Sequence, residues 1–438
     1  MVEFDIMKNI AIIGAGVGGM AAAWDLARAG HHVTIFEGSD SVGGLASGFK
    51  EPSWEWSVEK YYHHWFQSDK DMLGLIKELG WSDDVFFPRP KTVAYANGKF
   101  SPLDSPLAAL TYPGFTLFDM IRFGFVSVYL RYLSSWQPLE KFTADDWMRK
   151  FYGPRLYATL FEPLLIGKFG PHYKYVNMAW FWARFKTRTT RLGTFKGGFQ
   201  EFCDRFAARL AELGVTIELN SPAESLKFGS DGRLELSAKG KRFTFDQVLV
   251  TSSPALLARI ASGLPVEYLR GLLDLKSMGA VLLVISLKQQ LSPEGFYWYN
   301  LPKSEGFPFL ALVEHTNFVS SSHFNNEHIV YCGDYLDPGH EHFHMSKDEL
   351  LERFLPSLKR INPEFSKSWV LKTWLWKTNY AQPVPLVNHS SNIPELKTPI
   401  PGLFFASMSQ VYPWDRGTNF AVQVARNAAR LMLADKSS

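Results

Sequence analysis

Three glycines and an acid set the first chemical expectation. Gly14, Gly16 and Gly19 form a GxGxxG pattern between an apolar run and a run of small residues, and Glu37 stands 23 residues beyond Gly14. In a strand–turn–helix unit each position has a task. The first glycine permits a tight turn, the second lets backbone approach a pyrophosphate, and the third lets the helix pack closely on the strand. The helix start then offers N–H groups and a partial positive charge to the phosphates. An acid about 20 residues on accepts hydrogen bonds from ribose hydroxyls, the place Glu37 occupies. A second pair, Gly43-Gly44, adds another backbone approach to the pyrophosphate and favours FAD over NAD.

Those residues need elements to hold them. Lys8 to Ile13 reads as a buried strand, Met20 to Ala29 as a helix stopped by Gly30, and His32 to Glu37 as a second strand, together a βαβ unit. A helix is expected from Asp69 to Leu79, and a hairpin from Thr92 to Pro102 turned at Asn97-Gly98. Pro106 to Arg191 is aromatic-rich and mostly helical in pattern. Phe199 to Leu213 forms an amphipathic helix, Val215 to Leu219 a strand, and a meander leads through Asp231-Gly232 to Gln247–Val250. Ala280–Leu287, Phe296–Asn300, Phe309–Val313 and Ile329–Tyr335 suggest an antiparallel sheet. A helix over Asp348–Ile361, strands at Trp369–Trp376 and from Leu403, and a final helix over Asn419–Leu433 complete the chain.

Composition narrows the function. The 438 residues carry a formal charge of +3, which gives no basic footprint and argues against nucleic acid as a partner. At roughly 150 residues per domain, two or three domains are expected. Aromatic residues reach 15%, which suits a Phe-rich core, a wide apolar cavity or a surface that touches lipid. Cys203 and Cys332 form no CxxC, so neither a disulfide framework nor a zinc site is expected, and a reducing, cytoplasmic setting fits. Ile10 to Trp24 is apolar but broken by four glycines, so no signal peptide is expected, and no stretch of about 20 apolar residues predicts a spanning helix.

IAIIGAGVGGMAAAWDLARAGHHVTIFEGSDSVGGL resembles the amino terminus of the flavin amine oxidase, protoporphyrinogen oxidase and phytoene desaturase superfamily. GTFKGGFQEFCDRFAARLAELGVTIELN and PGLFFASMSQVYPWDRGTNFAVQVARNAARLM are similar to two later segments of the same superfamily. The resemblance implies an α/β flavoprotein: a Rossmann-like FAD-binding domain built from 1–90, 192–275 and 395–438, and a mixed α+β substrate domain from 91–191 and 276–394. It places Leu45, Ala223, Ser407 and Met408 among the FAD contacts. Leu45 stands where many amine oxidases have a pyrophosphate-binding Arg, and Ser407-Met408 where they have Gly followed by an acid. No residue matches their flavin-facing lysine, which disfavours simple amine oxidation.

EKYYHHWFQSD with the NG hairpin also looks like UDP-galactopyranose mutase, which places His64 near the flavin ring, while Gln67 replaces that family's second histidine. Two activities are therefore carried forward. One is an FAD-dependent oxidoreductase moving a hydride to or from a carbon of a small, apolar or lipid-linked substrate. The alternative is a reduced-flavin isomerase of a nucleotide sugar. An inactive flavin-binding protein is the non-enzymatic reading.

Further candidates are weighed residue by residue. His63 and His64, read as neighbours on a strand, would face opposite ways. Gly417, Thr418 and Asn419 are expected to turn N–H groups and the helix dipole toward the flavin, or simply to cap the helix. Asp415 or Arg416 either faces the substrate, with Arg416 as a catalytic candidate, or the two pair with each other. Arg184, Lys186, Arg188 and Arg191 form a basic run beside Trp180 and Trp182 that either holds an acidic substrate group or is a solvated helix face. Lys168 is a candidate for the same pocket, which makes Arg184, Arg188 and Lys168 the substrate set. His340, His342 and His344 are expected in a solvated loop rather than a metal site. Phe115 to Trp136 is amphipathic and is expected either to rest peripherally in a membrane interface or to roof the substrate cavity.

Overall fold

The computed structural model describes residues 7–96, 98–102 and 115–435. Five parallel strands form one sheet in the order Thr216–Glu218, His32–Phe36, Asn9–Ile13, Gln247–Val250, Leu403–Phe405. Strands covered on both faces read as continuous apolar runs rather than alternating ones, and Ile10 to Ile13 are all buried. The chain leaves the central strand at Gly14, whose φ of +112° is costly for any residue with a Cβ.

The first helix runs Val17–Arg28, three residues earlier than the sequence suggested. Gly18 and Gly19 are poor helix formers, and packing overrides that preference. A Cβ on Gly18 would stand 2.9 Å from the Ala421 carbonyl oxygen of the closing helix, Thr418–Ala434, so the two helices approach at their backbones. Phe199–Glu212 lies on the same core through Phe199, Phe202, Phe206 and Leu210.

The second sheet has seven strands in the order Val370–Pro383, Ser277–Leu287, His328–Leu336, Ala311–Glu314, Trp298–Asn300, Thr92–Ala96, Lys99–Pro102. It is not purely antiparallel. Trp298–Asn300 runs parallel to Thr92–Ala96, because the early hairpin joins the sheet edge from a distant part of the chain. Asn97 of the expected hairpin turn lies outside the described residues, as do 106–114 of the aromatic segment. The rest of that segment is helical, including Leu117–Val128, Ala144–Phe151 and Met178–Thr187.

The aromatic excess divides between two uses. Trp65, Trp180, Tyr152, Phe195 and Phe199 are fully buried core. Phe118, Phe125, Tyr132 and Leu133 lie on the surface at 68–75% exposure. Among the described residues no helix is long and apolar enough to cross a membrane. The His340–His344 segment is a single 3-10 turn, Glu341–Phe343, with His342 buried against Phe354.

Candidate active site

The glycine loop meets the second glycine pair directly. Gly16 and Gly43 form a parallel bridge, and the Gly43 N–H donates to the Ala15 carbonyl at 2.9 Å. Gly43 has φ +110° and Gly44 φ +58°. A Cβ on Gly14 would come within 2.7 Å of Thr251 Oγ1, and one on Gly19 within 2.0 Å of the Gly14 carbonyl oxygen. Gly16, by contrast, faces open space, and it caps the first helix with no side chain on the helix N–H groups. Glu37 ends the neighbouring strand and accepts from the Ala15 N–H at 2.8 Å and the Ser39 N–H at 2.9 Å. A close-packed glycine turn, an open helix start and a fixed acid at the ribose position are what a dinucleotide pyrophosphate requires, so the residues present fit FAD.

The closing helix ties this cradle to the rest of the site. Its start carries Thr418, whose Oγ1 accepts from Trp65 Nε1 at 2.9 Å and so fixes the His63–His64 segment beside it. Asn419 does not turn its side chain toward a cofactor. Its Oδ1 accepts from the N–H groups of Asp71 and Met72, satisfying donors at the start of helix Lys70–Glu78. Gly417 leaves open space on its Cα, and the helix start has no side-chain cap.

Residues 61–64 are not a strand; regular pairing begins at Trp65. The strand that would set His63 and His64 on opposite faces is therefore absent, although the two rings meet different neighbours. Both lie within the field of Arg416. His63 packs on Phe199 and its Nδ1 meets the Tyr61 carbonyl at 2.5 Å. His64 sits between Phe66 and Trp298, and its Nδ1 has no hydrogen-bond partner among the described residues. Burial, followed by the charges of Arg188, His63, Arg416 and Lys168, pushes His64 down to about 3. Burial pushes His63 down to about 4. Both are neutral at physiological pH and act through hydrogen bonds rather than charge.

Asp415 is the hub of a polar cluster one turn away. It does not pair with the Arg416 side chain. Its Oδ2 lies 2.8 Å from Arg184 Nη1 and 3.8 Å from Lys168 Nζ, and its Oδ1 accepts from Trp180 Nε1 at 3.1 Å. Burial raises the Asp415 carboxyl, but Lys168, Arg184 and Arg188 outweigh it and hold the group below the usual carboxylate range. Gln382 joins the cluster from the long strand. Its Oε1 accepts from Lys168 Nζ and from Arg416 Nε, each at 3.1 Å. Lys168 and Arg416 also lie over the Tyr335 ring, and Arg184 over Trp180.

The basic run is thus split by the end of its helix at Thr187. Arg184 and Arg188 turn to the cluster, Lys186 lies over Trp182, and Arg191 donates to the Phe87 carbonyl. Gln382 and Tyr335 carried no local sequence signal of this role, since the packing of their strands against the helices brings them to the cluster. Other expected contacts are backbone in character. Ala223 begins a strand with its side chain buried, beside the Ser221 N–H that donates to the Glu37 carbonyl at 2.7 Å. The Ser407 hydroxyl caps its own turn, Met408–Gln410, by accepting from the Ser409 N–H. Leu45 and Met408 are half-buried.

A family model described as flavin containing amine oxidoreductase matches residues 17–433. The 15-cis-phytoene desaturase of Synechococcus elongatus is 29% identical over 157 residues, 32% of this chain and 33% of that protein, so the match spans about a third of the relative's length. Among solved structures, one from Exiguobacterium described as a protoporphyrinogen oxidase aligns with TM-score 0.76 at 17% identity, covering 98% of this chain and 99% of that one. Reduced UDP-galactopyranose mutase aligns with TM-score 0.74 at 13% identity, covering 98% and 96%. Likeness at such identities speaks for the shared fold.

Proposed function

The chain belongs to the flavin-containing amine oxidoreductase family, and from that premise we propose an FAD-dependent oxidoreductase that moves a hydride to or from a carbon of an apolar, lipid-linked substrate. The observation that carries this reading is the convergence at the start of the closing helix. There the glycine cradle, the neutral His64 and the Asp415–Arg416 cluster are tied to one element through Ala421, Thr418 and Asp415.

In this reading the backbone of Gly14, Gly16, Gly19, Gly43 and Gly44 holds the pyrophosphate, Glu37 the ribose, and the N-terminus of the closing helix faces the flavin ring. FAD supplies the hydride acceptor or donor when bound. His64 offers an unpaired ring nitrogen to orient the substrate. The residues drawn into the glycine cradle and closing helix, 1–90, 192–275 and 395–438, form the cofactor part, and 91–191 with 276–394 the substrate part.

An apolar stripe supports the lipid-linked substrate. Leu117, Phe118, Ile121, Phe125, Val128, Tyr129, Tyr132 and Leu133 recur at helical spacing and all exceed 40% exposure. The inner side of the same helix packs through Phe123 on Phe161, which meets Phe181 and then Trp180, a ligand of Asp415. Arg131 and Lys150 are exposed beside the stripe and suit an anionic lipid surface, while Arg122 is turned to the carbonyls of Lys150 and Phe151. The protein would then work peripherally on the cytoplasmic face of a membrane.

The cation cluster favours a second reading, the reduced-flavin isomerase acting on a nucleotide sugar. The test begins with the visible spectrum of the purified protein and the chromophore released on denaturation, where FAD near one per chain is expected. Anaerobic incubation with polyprenyl-type and nucleotide-sugar substrates then separates the readings. Net change in flavin redox state with a lipid supports the oxidoreductase. Product formed only by reduced enzyme, with no electrons consumed, supports the isomerase. A protein that neither carries nor takes up FAD overturns both.

A further inference from the structure

Lys168, Arg184 and Arg188 gather around a single carboxylate, Asp415, and Arg416 joins them through Gln382. Lys168 and Arg184 are 8% and 7% exposed, so their charges are held away from bulk water. Arg416 is half-buried and Arg188 is exposed, so the cluster opens to solvent on that side. Burying charge is expensive unless it is paired, and Asp415 serves the two buried cations while Arg188 and Arg416 have no carboxylate partner among the described residues. Four basic side chains therefore share this region with one carboxylate. Asp415 is already engaged by Arg184, Lys168 and Trp180, and Gln382 gives Lys168 and Arg416 only a neutral oxygen.

Arg188 is the least satisfied member. Its guanidinium lies over the Phe66 ring, within the field of Arg184, Asp415 and Arg416, and no carboxylate or carbonyl accepts from it among the described residues. A guanidinium left unpaired beside other cations is a fork presented to an incoming oxyanion.

We propose that Lys168, Arg184, Arg188 and Arg416 form a binding site for a phosphate or diphosphate ester group on the substrate. The assignment rests on the reading of this region as the place where substrate meets flavin, and it names the substrate's polar end. A diphosphate offers several cations more negative charge and more acceptor oxygens than a carboxylate does. The buried Trp180 and Tyr335 rings shield the inner side of the cluster, while Arg188 lies over Phe66 on its exposed side. Burial holds Lys168 well below its usual value, with Arg416, Arg184 and Arg188 acting the same way and Asp415 opposing them, and an oxyanion beside it would favour its charged form.

The probe is inorganic pyrophosphate, titrated into the flavin-loaded protein at ionic strength matched with chloride and read by calorimetry and by the flavin spectrum. Flavin then fills the glycine cradle, leaving the cation cluster as the site observed. One pyrophosphate per chain is expected, and Arg188→Gln should weaken it about tenfold, the scale of one guanidinium–oxyanion bond. Lys174→Gln removes the same charge from the exposed surface and should leave binding within about twofold, as a distant screened charge does. Equal weakening by both variants, or no binding beyond chloride, overturns the proposal. If the protein carries no flavin, the reading of the function fails on its own. The Arg188→Gln difference, measured by thermal shift with pyrophosphate, still decides the anion site.

Discussion

Glu59 shows how little a residue's type says about its charge. It is 1% exposed, its Oε1 accepts from the Phe199 N–H at 3.2 Å, and Tyr331 donates to its carbonyl at 2.8 Å. Burial pushes its carboxyl up to about 7 from 4.5, and the hydrogen bonds only partly oppose the shift. Between those values the folded chain keeps a proton that the unfolded chain has lost, so this group makes stability fall as pH rises through that window. Glu59→Gln keeps the acceptor and removes the ionisation. It should raise stability by about 2–3 kcal/mol at pH near 8 and by less than about 1 kcal/mol at pH near 5. Urea unfolding at the two pH values checks this, and an equal gain at both would refute the account. Neither the burial of Glu59 nor the isolation of His64 was legible in the sequence, because both depend on side chains more than a hundred residues away.

At the level of elements, the closing helix does the most positioning. Arg426 reaches from it to two others, with Nε and Nη2 on Asp25 at 2.8 and 2.7 Å, and Nη1 and Nη2 on Glu78 at 2.9 and 2.7 Å. Both contacts are forked and the Arg426 side chain is 16% exposed, although Glu78 is partly solvated and contributes less. Arg426→Ala should cost about 2–4 kcal/mol, and Arg426→Lys about half of that, since an ammonium cannot serve two forks. Denaturant midpoints measure both. Gly19→Val is aimed at the cradle instead. A Cβ there collides with the Gly14 carbonyl oxygen, so flavin content of the purified protein should fall several-fold, while an unchanged flavin ratio would count against the cradle. The glycine spacing exposed this loop in advance because its geometry is local. The Asn419 cap on helix Lys70–Glu78 was hidden, since the donors lie almost 350 positions from the acceptor.

Taken as one body, the molecule presents an apolar helix outward and a charged cluster inward, joined by the aromatic wall of Phe161, Phe181 and Trp180. Burying several aromatic and aliphatic side chains in a headgroup layer gains roughly 1–3 kcal/mol each, opposed by the loss of free motion. The protein should therefore sediment with phosphatidylglycerol–phosphatidylcholine vesicles. The combined Phe118→Ser, Phe125→Ser and Leu133→Ser variant should lose at least about tenfold in that affinity. These side chains are 68–75% exposed, so the fold should survive the change. Wild-type protein that stays in the supernatant would refute the membrane surface.

The sequence by itself determined the glycine turn, the parallel strands beside it and the family, because a strand, a glycine turn, a helix and an acid within 30 residues encode their own geometry. Most elements were legible for the same reason, through the period of their apolar residues. Which cations share one carboxylate was decided only by tertiary structure. Lys168, Arg184, Gln382 and Asp415 come from three helical or strand elements and a loop, and meet where sheet and helix packing place them. Hydrophobic periodicity tells which face is buried. It does not tell which polar group will be buried opposite, and that pairing gives this site its charge.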